Sequence, residues 1–196
     1  MRCASFAAAL GMLALVACSQ AEPEVVVPLP PLQDDRFTEA PEAAAPIEIN
    51  KAAARTRDEL LKHAARGSLR GLAEVANLNP DFKSNLGGQS HDRFWDLLRR
   101  TGVDPNQKLR ELFEQPAGLR EIDGERWYVW PDLAAKDAAD LIPEKLDFQE
   151  RRRLEELIGE DGIARIRAGE GYPGIRTAIS EEGTWIYYVL GQDGEE

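Results

Sequence analysis

Histidine and cysteine are almost missing from this chain, which has two of each in 196 residues. With His63 and His91 as the only histidines there is no H-E-x-x-H helix and no Cys/His pairing, so no metal-ligand pattern is present. The G-x-S-x-G elbow of serine hydrolases is absent as well. Ser90-His91-Asp92 sets three suggestive residue types side by side. Adjacent side chains point in different directions, whereas a nucleophilic relay is a spatial arrangement, so Ser90 and Asp92 read as helix-start residues. Asp104-x-Asn106 opens like a calcium loop, but Leu109 takes the required glycine position and Gln115 the required glutamate. Gly87-Gly88 has no strand before it and no lysine in register after it, so it is not a phosphate loop. No catalytic residue, metal or cofactor is assigned on these patterns. Positive charge is the minority sign, 24 Lys and Arg against 35 Asp and Glu, for a net charge of −11. A surface of that sign repels nucleic acid and anionic lipid, so no nucleic-acid partner is expected.

Long hydrophobic runs are also lacking, with one exception at the start. Arg2 is the only charge before Glu22, and residues 3–17, CASFAAALGMLALVA, carry none. That is short of the roughly 20 apolar residues of a membrane-spanning helix, and it has the proportions of a signal peptide. An ordinary secretory signal closes on small residues of the A-x-A kind. This one closes on Leu15-Val16-Ala17-Cys18, followed at once by the polar Ser19 and Gln20. The pattern resembles the lipobox of bacterial lipoproteins. The resemblance implies cleavage before Cys18, a diacylglyceryl group on its sulfur and a further acyl chain on its amino group. One acyl chain binds a membrane only reversibly, each buried CH₂ contributing roughly 0.8 kcal/mol, so three chains on Cys18 make the membrane a lasting partner. The alternative is an uncleaved hydrophobic helix with a buried cysteine. In the lipoprotein family Asp after the cysteine favours the inner membrane. Ser19 is not that signal, so the expected location is the outer membrane, facing the periplasm. On the same resemblance Cys3 leaves with the signal. The mature chain then keeps one cysteine, itself lipidated, which excludes an intrachain disulfide, a cysteine nucleophile and a cysteine metal cluster.

Residues 18–49 read as the lipidated cysteine followed by a disordered tether. Six of the twelve prolines lie between Pro23 and Pro46, among Glu22, Glu24, Asp34, Asp35, Glu39, Glu42 and Glu48, with Arg36 as the single basic residue. Such a composition buries too little apolar surface to offset its ordering entropy. Val25-Val26-Val27 has a second reading, as a short docked strand. From Asn50 the composition changes, and 50–192 is long enough for one domain with a proper core. Residues 193–196 are a tail.

Within that domain the pattern predicts α+β structure. Apolar spacing and caps point to helices over 51–66, stopped by Gly67, and over 69–77 behind Ser68. A third covers 91–101 behind Ser90, with Phe94, Leu97 and Leu98 inward. Asp104-Pro105 opens a fourth, buried by Leu109, Leu112 and Phe113. Asp123-Gly124 is a two-residue hairpin turn between two β-like runs in "LREIDGERWYVW". Pro131 ends the second run and opens a helix through Ile142. Asp147-x-x-Glu150 is a capping box for 148–158, and a short helix follows at 161–168. A second hairpin joins 175–179 to 184–190. WYVW (127–130) and TWIYYVL (184–190) are apolar on both faces, which places both strands centrally in a sheet. The expectation is a small antiparallel sheet of about four strands, in two hairpins, packed by five to seven helices. His63 is placed on the solvent side of the first helix. Arg151-Arg152-Arg153 reads as a solvated face paired with Glu155 and Glu156, or else as a contact for lipid headgroups or an acidic partner.

All four tryptophans lie after residue 90. Trp127, Trp130, Trp185 and Tyr187 form one candidate ligand-binding set, a stacking platform for a glycan or an apolar ligand. The other reading of the same aromatics is that they are core. "RWYVWPDLA" (126–134) and "EGTWIYYVLGQ" (182–192) resemble the closing parts of a family of uncharacterised proteobacterial envelope proteins with Y-x-W-P and G-T-W-x-Y-x-x-x-G motifs. That resemblance implies no catalytic residues. Two functions follow. The first is a non-enzymatic, lipid-anchored binding or scaffolding module with an envelope protein or glycan as partner. The second is an envelope enzyme acting on peptidoglycan or another glycan through a carboxylate pair about 5–10 Å apart. Cys18→Ser should block lipidation and leave an uncleaved or soluble species. Membrane fractionation decides this, and a mutant that stays with membranes at wild-type size would refute the lipobox reading.

Overall fold

The computed structural model describes residues 47–84 and 90–190. The expected signal peptide, Cys18, the expected tether up to residue 46, Gly87-Gly88 and the expected tail lie outside the described residues. Four helices come first: α1 (Lys51–Ala65), α2 (Leu69–Ala76), α3 (His91–Arg100) and α4 (Pro105–Phe113). A hairpin follows, β1 (Gly118–Ile122) and β2 (Glu125–Trp130), then α5 (Phe148–Arg167) and a closing hairpin, β3 (Arg176–Ser180) and β4 (Trp185–Val189). The fold is α+β, with one four-stranded antiparallel sheet in the order β1-β2-β3-β4.

Local chemistry sets most boundaries. Asn50, Ser68, Asp104 and Asp147 each accept a first-turn backbone N–H through the side chain, satisfying donors that the helix itself cannot. Ser90 precedes α3 but makes no such bond; its hydroxyl turns to Asp92 instead. Asp123 and Gly124 both take positive φ, 53° and 83°, the mirror-image turn whose twist matches paired strands. Gly159 (φ 65°, ψ −174°) breaks α5 into the two helical pieces the sequence suggests; that conformation is essentially restricted to glycine.

The sheet is covered on both faces. On the first, Tyr128, Trp130, Ile179, Trp185 and Tyr188 pack beneath α1–α4 with Leu60, Leu72, Trp95, Leu109 and Leu112. On the second, Val129 and Ala178 pack with Leu133, Leu141, Leu154, Ile163, Ile166 and Tyr172. Several polar groups in the first core are paired, although the buried Trp95 Nε1 has no hydrogen-bond partner. Trp185 Nε1 donates to Thr177 Oγ1 at 2.8 Å, and Thr177 Oγ1 donates onward to the Tyr187 carbonyl at 2.8 Å. The Tyr188 hydroxyl donates to the Pro105 carbonyl at 2.8 Å, holding the start of α4 to the sheet. Asn50 Nδ2 and Thr56 Oγ1 donate to the carbonyls of Glu181 and Gly183, fastening α1 to the β3–β4 turn.

Several expectations need correction. The helix over 131–142 does not form: a short 3-10 turn, Asp132–Ala135, lies within that stretch and a second, Pro143–Lys145, follows it. Asp132 N donates to the Pro116 carbonyl, and the Arg153 guanidinium holds the Asp132 carboxylate through two bonds of 3.0 and 2.8 Å. Leu133 and Ala134 are thereby pressed onto the sheet, and this packing overrides helix propensity. Within the arginine triplet only Arg152 makes the expected helical pair, with Glu156; Arg151 donates to the Leu146 carbonyl. In α3 Phe94 and Leu98 pack against the first core as expected, but the fully buried residue is Trp95, and Leu97 is 49% exposed. His63 is half-buried, lying over α2 so closely that a Cβ on Gly71 would collide with its ring.

β4 is an edge strand, not a central one. It is apolar on both faces because both faces are covered, and its outer edge is closed by a single parallel bridge: Lys83 N donates to the Ile186 carbonyl and Tyr188 N to the Lys83 carbonyl. Trp185→Ala removes a side chain that is 2% exposed and with it the hydrogen bond that the Thr177 hydroxyl accepts. Such a truncation costs roughly 3–5 kcal/mol, so the melting temperature should fall by roughly 10 °C, which thermal unfolding followed by circular dichroism would read.

Candidate functional site

Strand register assigns every side chain of the sheet to a face. Trp127 pairs with Arg120 on β1 and with Ser180 on β3, and Ala178 pairs with Tyr187 on β4. Arg120, Trp127, Ala178, Ser180 and Tyr187 therefore share the second face. The residues on the intervening strand, Ala178 and Ser180, are small. The rings of Trp127 and Tyr187 lean toward each other above them, edge to face, with centroids 6.3 Å apart and an interplanar angle of 69°. Ala178 and Ser180 are buried while both rings stay half-buried. Trp127 Nε1 donates to Glu125 Oε2 at 3.3 Å, which fixes the indole's orientation. Burial pushes the Tyr187 hydroxyl up to about 12, although Arg176 and Arg120 draw it the other way. It remains a neutral donor across the physiological range.

The four candidate aromatics thus separate. Trp130 (1% exposed) and Trp185 (2%) are core side chains of the first face and have no surface for a ligand. Trp127 and Tyr187 come together on the second face and keep part of their rings in solvent. Among all four tryptophans and four tyrosines they alone escape burial. Arg120 was not among the sequence candidates. The signal for it was present: a two-residue turn at Asp123-Gly124 pairs Ile122 with Glu125 and so, counting outward, Arg120 with Trp127.

Two shallow grooves lie elsewhere. One, of about 260 Å³, runs along the outer side of α3 between Arg93, Asp96, Leu97 and Arg100. The other, of about 280 Å³, lies where α5 breaks, between Leu157, Ile158, Asp161, Gly162, Pro173 and Ile175. Neither includes a candidate aromatic. Among the described residues no group of three or more His, Cys, Asp or Glu is placed to hold a metal ion, and no helix is long and apolar enough to cross a membrane. The perturbed carboxyls are held low by their partners: Asp92 by the Ser90 hydroxyl, Glu111 by Lys108 and Glu144 by Arg167.

His91, partly buried, packs against the first core. Its ring meets Phe82 edge-on at 5.1 Å and Trp95 at 5.5 Å, and Nδ1 lies 3.2 Å from Ser84 Oγ. Burial lowers its pKa below the ordinary value, more than neighbouring Asp92 raises it.

No family model, curated protein or solved structure matches the chain.

Because His91 binds its proton less tightly when folded, the unfolded chain carries more protons just below the ordinary histidine value of about 6.5. Stability should therefore fall as pH drops from 7.5 to 5.5. In urea titrations at the two pH values, His91→Gln should show a smaller loss than wild type; an equal loss would place the effect elsewhere.

Proposed function

We propose that this chain is a lipid-anchored binding module of the bacterial envelope, held on the outer membrane through Cys18 and facing the periplasm. Its ligand surface is the second face of the sheet at Trp127 and Tyr187, and the ligand is a glycan. The observation that carries the ligand part is the selective exposure of these two rings. Six of the eight tryptophan and tyrosine side chains are buried, whereas this pair is only partly buried on a strand scaffold, with its rings 69° apart. Angled aromatic rings on rigid strands offer apolar surface that loses little conformational entropy on binding. The anchor rests on the lipobox resemblance at Leu15–Cys18. The Pro-rich acidic stretch after it would let the domain reach away from the membrane.

Trp127→Ala and Tyr187→Ala should each cost about 1 kcal/mol of stability, the usual scale for a half-buried substitution. Both should abolish co-sedimentation of the purified full-length protein with isolated cell-wall glycan. A wild-type protein that stays in the supernatant, or variants that sediment as it does, would refute the glycan reading.

A further inference from the structure

We infer that Arg120 makes the Trp127–Tyr187 surface selective for an acidic sugar, with the pyranose ring against the two aromatic rings and its carboxylate on the Arg120 guanidinium. The inference rests on the glycan reading above and adds the ligand's charge to it. Arg120 stands directly opposite Trp127 in the β1–β2 ladder, and directly opposed residues carry their side chains side by side on one face. Its present partner is weakly held. The contact with Asp137 Oδ1 is a single one of 3.4 Å, and the two side chains are 40% and 76% exposed. A guanidinium so placed can exchange one long bond for the two parallel bonds that a ligand carboxylate offers.

The other charged groups of this face do not compete for the same ligand atoms. Glu125 is engaged by Trp127 Nε1. Arg176 points Nη1 at the carbonyls of Tyr172 and Gly174 and adds positive potential near Tyr187. Rings set 69° apart do not form the parallel slot that a flat base would fill. The net charge of −11 opposes a polyanion but tolerates one carboxylate met by one arginine. The chemistry selected is a pyranose bearing a carboxylate, whether a uronic acid or the lactyl ether of muramic acid.

The test uses the full-length protein in detergent, titrated with N-acetylmuramic acid, glucuronic acid, N-acetylglucosamine and glucose, reading the Trp127 indole N–H by NMR. At least one acidic sugar should bind about tenfold more tightly than its neutral counterpart, and which acid does so identifies the source. Arg120→Gln should erase that tenfold while leaving the neutral sugars unchanged. Asp137→Asn, which releases Arg120, should tighten the acidic sugar severalfold, a gain that misfolding does not produce. Equal affinity for acid and neutral sugar in wild type, a preference that survives Arg120→Gln, or no tightening with Asp137→Asn would overturn the role of Arg120. No response to any of the four sugars would overturn the glycan reading beneath it.

Discussion

One extra residue in β4 organises the sheet. Between the pairs Ala178–Tyr187 and Ile179–Trp185 the ladder slips, because Ile186 has no partner of its own on β3. In a regular strand, residues three apart face opposite sides. The bulge shifts the alternation, so Trp185 and Tyr188 both enter the first core, their ring centroids 5.9 Å apart, while Tyr187 turns to the second face. Without it either Trp185 or Tyr188 would leave the aromatic cluster that also contains Phe82 and Trp95. The neighbourhood of Trp127 and Tyr187 depends on the same slip.

The two faces then meet different demands. The first must accept three indoles and two phenols under four helices. Two of their polar atoms find partners inside the core: Thr177 for the Trp185 N–H, and the Pro105 carbonyl in the first turn of α4 for the Tyr188 hydroxyl. A buried donor left without a partner costs more than a made bond contributes, so these two contacts specify how helices and sheet are docked. The second face has less to cover it. Short turns and a broken helix close over Val129 and Ala178, and the Arg153–Asp132 pair ties α5 to the turn after β2. Trp127 and Tyr187 pack against the margin of that cover and are only partly buried. Incomplete burial there is a property of the architecture, and a ligand surface at this place needs no rearrangement of the core.

Caps, turns and breaks were legible in the sequence because they are local. Asn50, Ser68, Asp104 and Asp147 act on backbone groups two or three residues away, and Asp123-Gly124 determines the dihedrals of its own turn. The α+β class and the four-strand count followed from them. Side-chain direction was harder to read. Leu97 and Trp95 lie two residues apart on α3, and both apolar side chains satisfy a helical period. Which one turns inward depends on Phe82, Trp185 and Tyr188, which come from distant parts of the chain. The segment after Pro131 has helix-favouring alanines, yet Arg153 and Pro116 hold Asp132 in another conformation.

By itself, the sequence determined the lipobox resemblance, the acidic Pro-rich lead and the elements of the domain, since each is written in neighbouring residues. It also named the candidate aromatics, without dividing them. The division of Trp130 and Trp185 from Trp127 and Tyr187 was decided only by tertiary structure. The physical reason is that strand pairing and a single bulge choose the face, and the helices packed on each face choose the burial. Neither is encoded in the local alternation of WYVW or TWIYYVL, where every position is apolar enough to face either way.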